Sequence, residues 1–206
     1  MIGIIEKVVV ECLLEAGGDE LRLDAFLKAG IPNDRVYRID SHYPDEETQR
    51  LIAATLEVTG LSEDALFKLF SARFFEVIAQ VFPKFIEMAE SSEDLVRMQA
   101  KIHALMASGT RTPEGSSETE DKFTVEEQSD HHLIVRYRSH LQLCGLYIKL
   151  VEACAHRFGD EVVLEELTCR NRGDDACRIR VKWTAIDGVP TQYASKDPSA
   201  VSDRRA

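Results

Sequence analysis

Residues 131–159 read HHLIVRYRSHLQLCGLYIKLVEACAHRFG. The stretch HHLIVRYRS alternates apolar and polar side chains with period two, as a half-buried strand does. From Leu143 the spacing becomes helical, and Gly159 closes the helix. Next comes EVVLEELTCRNRGDDACRIRVKW, residues 161–183, a hairpin with its turn at Asn171-Arg172-Gly173-Asp174. Strand, helix and hairpin predict an α+β half over residues 123–184, with an antiparallel sheet.

Upstream the pattern is helical to residue 108. MIGIIEKVVVECLLEAGG reads as an amphipathic helix. In YPDEETQRLIAATLEVTG, Asp45, Glu46 and Glu47 suit the positive end of a helix dipole, and Gly60 ends the helix. Ser62 is placed to cap SEDALFKLFSARFFEVIAQVF, which is apolar around much of its circumference and so belongs at the centre. Pro83 interrupts it. SSEDLVRMQAKIHALMASG gives one more helix, capped by Ser91 or Ser92 and stopped at Gly109. The polar stretch 109–122 reads as a linker, and 185–206 as a disordered tail.

Composition excludes several functions. The 206 residues carry 36 acids against 25 bases, a formal charge of -11. Nucleic acid and anionic membranes require a basic footprint, so neither is expected as partner. The apolar runs are too short and too often broken by charge for a transmembrane helix. The N-terminal stretch lacks the basic start of an export signal, so a reducing cytoplasmic location is expected. Five cysteines then read as thiols, metal ligands or redox switches before structural disulfides. Phosphate-binding Gly loops and nucleophile or zinc-protease motifs are absent, so no catalytic site is expected.

Six segments, in this order, resemble the haem-nitric oxide/oxygen binding (H-NOX) family. They are MIGIIEKVV, the YPDEE helix start, the Phe-rich helix ending VFPKF, KIHALM, RYRSHLQLCGL and LTCRNRGDDACRIRV. The resemblance implies one sensor domain over residues 1–184, its helical half packed on the antiparallel sheet and its helices. It also implies haem b as cofactor.

His103, in the Ile-His pair of KIHALM, corresponds to the family's proximal haem ligand. Its helix has Leu95, Met98, Ile102 and Met106 on the apolar face. At about 100° per residue His103 sits on the flank of that face, where one ring nitrogen can meet a metal. The alternative is a core-edge histidine bonded to a backbone carbonyl. The family's Y-x-S-x-R motif, which holds the haem propionates, is matched by Tyr137 and Ser139, but Leu141 stands in the arginine place. As a strand, Tyr137, Ser139 and Leu141 would share one face, opposite Arg136, Arg138 and His140. Losing that arginine removes a charge-assisted pair, about 1.5–3 kcal/mol. Haem retention should weaken, or the propionates find another cation.

By register, Ile5 and Val9, Phe74 and Ile78, and Leu146 and Leu150 would face the other side of a porphyrin. Each pair is spaced i, i+4. Oxygen-binding members carry a distal tyrosine where this chain has Leu146. A pocket without a hydrogen-bond donor favours neutral NO over O₂. A one-residue slip would bring Tyr147 there instead. Cys144, Cys169 and Cys177 occupy positions where some members hold zinc, with Glu166 in place of their histidine. Zinc, oxidisable thiols and inert thiols all stay open, and Cys12 and Cys154 read as core.

The resemblance implies a haem-based NO sensor. NO binding would weaken the iron–His103 bond, shift the His103 helix, and signal to a histidine kinase or a cyclic-di-GMP enzyme. The rival is a haem-poor redox or zinc module working through Cys144, Cys169 and Cys177.

Overall fold

The computed structural model describes residues 3–108, 123–129 and 131–184. The linker expected at 109–122 and the tail at 185–206 lie outside the described residues.

Helix α1, Ile4–Ala29, breaks at Gly17 and Gly18, where Gly18 takes φ +68°. With ψ at −160° this is backbone that essentially only glycine adopts, costing other residues about 1–3 kcal/mol, so glycine marks the kink. Helix α2, Asp45–Thr59, opens on its three acids and ends at Gly60. Helix α3 is Glu63–Val81, and the Ser62 hydroxyl accepts from the Ala65 N–H at 3.2 Å. Such a cap contributes about 1 kcal/mol. Pro83 starts the short α4, Pro83–Glu87. Helix α5 is Ser92–Ser108. Of its two candidate caps Ser91 acts, accepting from the Asp94 N–H at 3.1 Å. Ser92 instead meets Asp160 and accepts from the Trp183 indole at 2.8 Å, tying the start of α5 to the sheet.

The sheet is antiparallel, in the order β1-β2-β4-β3. Its strands are β1 Phe123–Ser129, β2 His132–Tyr137, β3 Glu161–Thr168 and β4 Cys177–Thr184. Helix α6, Cys144–Phe158, lies between β2 and β3 in sequence and closes on Gly159. The loop from β3 to β4 is longer than the tight turn expected. It contains a 3₁₀ turn, Arg170–Arg172, followed by Gly173 at φ +97°.

Two sequence expectations are corrected. Strand β1 has no counterpart in them, because only Phe123 and Val125 offer apolar alternation and a bulge follows Val125. Strand β2 stops at Tyr137, so Ser139 and Leu141 are not strand residues. The chain turns there, with Gln142 at φ +54°. Tyr137, Ser139 and Leu141 are nonetheless all buried while Arg138 and His140 are exposed. The loop keeps the expected in-out alternation by its own packing.

Two apolar clusters make the core. The first joins α1, α2 and α3, with Phe26 and Phe70 at its heart. Burying a side chain of that size contributes about 2–3 kcal/mol. The second is the inner face of the sheet, where Leu133 faces Val181, Val135 faces Ile179 and Tyr137 faces Cys177. Helix α6 serves both, sending Leu146 to the first and Tyr147 and Val151 to the second. None of the described helices is long and apolar enough to cross a membrane.

Candidate functional site

An apolar cavity of about 210 Å³ opens between the two clusters. One wall is Ile5, Phe74, Ile78, Leu146 and Leu150, with Ile4 and Phe70. The facing wall includes Val96, Phe123, Tyr137, Tyr147 and Val151. Val9 is buried within the first cluster and is not among the lining residues; Ile4 borders the cavity instead.

His103 reaches the cavity from α5 and is the one imidazole among its described lining residues. Gln99, one turn earlier on the same face, donates from Nε2 to the Tyr147 hydroxyl at 3.1 Å. The His103 ring packs on Phe123 with centroids 4.5 Å apart and planes tilted by 36°. Phe123 in turn contacts Tyr137 at 5.0 Å and Tyr147 at 5.3 Å. Packing through the face is compatible with metal ligation, because an imidazole binds metal through an edge nitrogen.

Tyr137 and Ser139 mark the polar end. Burial pushes the Tyr137 phenol far above its ordinary range, with the Ser139 hydroxyl pulling the other way, so it stays a neutral donor. Ser139 lies beside the cavity's lining without belonging to it. The Ser139 hydroxyl accepts from the Leu141 N–H at 3.3 Å. Leu141 is only 4% exposed. A guanidinium is nevertheless docked on this loop: Arg170 Nη1 donates to the Ser139 carbonyl at 2.9 Å.

These residues fit an iron porphyrin in kind: an imidazole on one wall, an apolar wall opposite and Tyr137 in the lining, with the Ser139 hydroxyl and the Arg170 guanidinium on the adjoining loop. The fit in size requires movement. The cavity is smaller than the roughly 300–1,000 Å³ of ordinary small-molecule sites. A macrocycle would have to part the two walls, which belong to separate packing clusters.

A second constellation lies at the same end of the sheet. The Sγ atoms of Cys144, Cys169 and Cys177 all lie within 4.8 Å of one another. The Cys144–Cys169 pair is 3.5 Å apart, and all three residues are free thiols. They are 4%, 3% and 1% exposed. Burial is the main cause that raises the Cys144 and Cys177 thiols above their ordinary range. Glu166 is not among this group. Its carboxylate accepts from Arg172 Nη1 instead. Cys154 is buried and borders the cavity, whereas Cys12 is partly exposed.

Phe123, Gln99 and Arg170 were absent from the sequence reading. A glutamine four residues before His103 was a signal that helical spacing could have supplied. The other two depend on strand pairing and on the path of a loop.

The fold resembles known structures. An H-NOX protein from S. oneidensis in the Fe(II)NO ligation state matches with a TM-score of 0.75 at 20% identity, covering 90% of this chain and all of that one. An oxygen-binding H-NOX domain related to soluble guanylate cyclases, in its oxygen complex, matches at 0.73 and 17% identity, covering 90% of this chain and 96% of the other. The two hold different gases, so the fold alone does not select one. No curated protein matches this sequence. The family model described as haem-NO-binding matches residues 2–166. The chain therefore belongs to the haem-NO-binding (H-NOX) family of gas-sensor domains.

Proposed function

We propose that this protein is a cytoplasmic haem-based sensor of nitric oxide that regulates a separate signalling partner. The observation that carries the reading is the position of His103 on one wall of an apolar cavity whose other wall bears only apolar side chains.

His103 would hold the iron of haem b from the α5 side. Tyr137, Ser139 and Arg170 would meet the propionates, with Arg170 supplying the charge absent at Leu141. Bound there, haem supplies an iron that takes a diatomic gas. Ile5, Phe74, Ile78, Leu146 and Leu150 would line the gas face, and Val9 would back it. Their lack of donors favours NO, which needs no hydrogen bond, over O₂. Any strain on His103 would load α5. That helix is tied to α6 by Gln99 and Tyr147, and to the β1–β2 turn by Glu93 with His131 at 2.9 Å and Arg97 with the Ser129 carbonyl at 3.0 Å. A histidine kinase or a cyclic-di-GMP enzyme would read the shift as a coupling of about 1–3 kcal/mol. Catalysis belongs to that partner.

A second reading is favoured by the 3.5 Å approach of the Cys144 and Cys169 sulfurs. The same fold would sense oxidation, or hold zinc, through Cys144, Cys169 and Cys177, with Glu166 recruited only if it leaves Arg172. One experiment separates the two readings. Supplied with haem, the reduced protein should develop a Soret band that moves on NO addition, and His103→Ala should lose that signature. A colourless protein whose thiol count falls on mild oxidation, with altered partner regulation, supports the second reading.

A further inference from the structure

The start of α5 is fastened from places remote in the chain. A helix leaves its first N–H groups without partners of its own, and a side chain close by usually takes them. Ser91 serves one of these locally, accepting from the Asp94 N–H. The Ser92 N–H instead goes to Asp160 Oδ2 at 2.9 Å, 68 positions away at the junction of α6 and β3. The Ser92 hydroxyl donates to the same oxygen at 2.5 Å and accepts from the Trp183 Nε1–H at 2.8 Å. A carboxylate at this end of a helix is also favoured by the helix dipole. Four elements, α5, α6, β3 and β4, thus meet at one buried serine.

The fastening continues into the sheet. The Trp183 backbone N–H donates to the His131 carbonyl at 2.9 Å, and the His131 ring meets Glu93, the residue after Ser92. Hydrogen bonds to a charged group are directional and strong. The packing of the His103 ring on Phe123 is by contrast a ring-face contact without such direction. His103 stands about 16 Å along the axis from Ser92, at 1.5 Å per residue. A tilt of about 5° around Ser92 would carry that position about 1.5 Å.

We propose that Ser92, Asp160 and Trp183 are positioning residues that form the fulcrum of α5. A pull on His103 tilts the helix about its fixed start, and the displacement grows toward its far end. The inference rests on the haem-sensor reading above and adds to it the point about which the helix turns.

The test uses the reduced full chain, haem-free and haem-loaded. Amide hydrogen exchange is read by mass spectrometry over residues 92–98 and 99–108. In the haem-free chain Ser92→Ala or Asp160→Ala should speed exchange over 92–98 about tenfold. Ser92→Thr, which keeps the hydroxyl, should behave as the parent. Trp183→Phe keeps a ring, removes the indole N–H, and is the milder variant should Asp160→Ala fail to fold. Unchanged exchange in Ser92→Ala overturns the fastening. In the haem-loaded parent NO should alter exchange over 99–108 and leave 92–98 as it was. In Ser92→Ala the NO-induced change should spread into 92–98. A merely structural clamp would leave the NO pattern of that variant as in the parent, which overturns the proposal. So does an NO-induced change of equal size over both segments of the parent, since α5 would then move as one body. Failure of haem uptake, or of any response to NO, refutes the sensor reading instead. The two preceding outcomes arise only where NO acts, so they refute the fulcrum alone.

Discussion

Leu146 and Tyr147 are chain neighbours on α6 and line opposite walls of one cavity. Leu146 packs with α1 and α3, while Tyr147 stacks beside Tyr137, centroids 5.7 Å apart, on the His103 side. This addresses the register question. The tyrosine lies on the His103 side, and the leucine on the apolar wall opposite, the one proposed to face the gas. Leu146→Tyr should therefore place a hydroxyl donor among Ile5, Phe74 and Ile78. The expected outcome is an O₂-dependent Soret shift in the ferrous haem-loaded variant that the parent does not show. Equal O₂ responses in both proteins would remove Leu146 from gas selection.

Arg170 and Leu141 make a paired prediction. Leu141 is buried, so Leu141→Arg would put a charge into apolar packing and cost stability before it could aid haem. Arg170 already bonds the Ser139 carbonyl. Arg170→Ala should speed haem loss to apomyoglobin about tenfold or more, the loss of about 1.5–3 kcal/mol of charged hydrogen bonding. Its melting temperature without haem should fall little, since the bond is only partly buried. Unchanged haem loss would leave the propionates with some other cation.

How much was legible in the sequence depends on whether a residue's role is set locally. Helices α2, α3 and α6 announce themselves through Ser62, Pro83, Gly60 and Gly159, each acting within one turn of its own position. The β3–β4 hairpin is legible for the same reason. Strand β1 is not, because its pairing partner, β2, decides it and its own alternation fails after Val125. The apolar residues on one wall of the cavity share i, i+4 spacing and could be grouped from it, apart from Val9 giving place to Ile4. Phe123 against His103, and Arg170 against Ser139, join residues 20 and 31 positions apart in the chain. Spacing along one chain carries no information about such meetings.

Gln99 provides a test of the relay from α5 to α6. Its amide donates to the Tyr147 hydroxyl inside the core. Gln99→Leu keeps the volume and removes the donor, at a cost of about 1–3 kcal/mol for the stranded hydroxyl. The melting temperature should fall accordingly, while haem binding and the NO-induced Soret shift persist. The NO-dependent change in the partner's activity should shrink. A full-amplitude response in this variant would route the signal through the Glu93 and Ser92 contacts instead.

Glu6 sets a pH dependence in the helical half. It is fully buried on α1. The Thr48 hydroxyl donates to Oε1, while Oε2 has no hydrogen-bond partner among the described residues. Burial raises its pKa above the ordinary 4.5, with the Thr48 bond opposing. The folded state thus holds the neutral acid more readily than the unfolded chain does. That contribution is fully present below pH 4.5 and is lost as pH rises through the higher folded value. Glu6→Gln keeps an acceptor for Thr48 and cannot ionise. The variant should melt higher than the parent at pH 7, and the gap should close as the pH falls toward 4.5. Thermal unfolding of both proteins across that range measures the gap. A gap that stays constant with pH would mean that Glu6 remains neutral throughout, or that its packing and not its charge sets the difference.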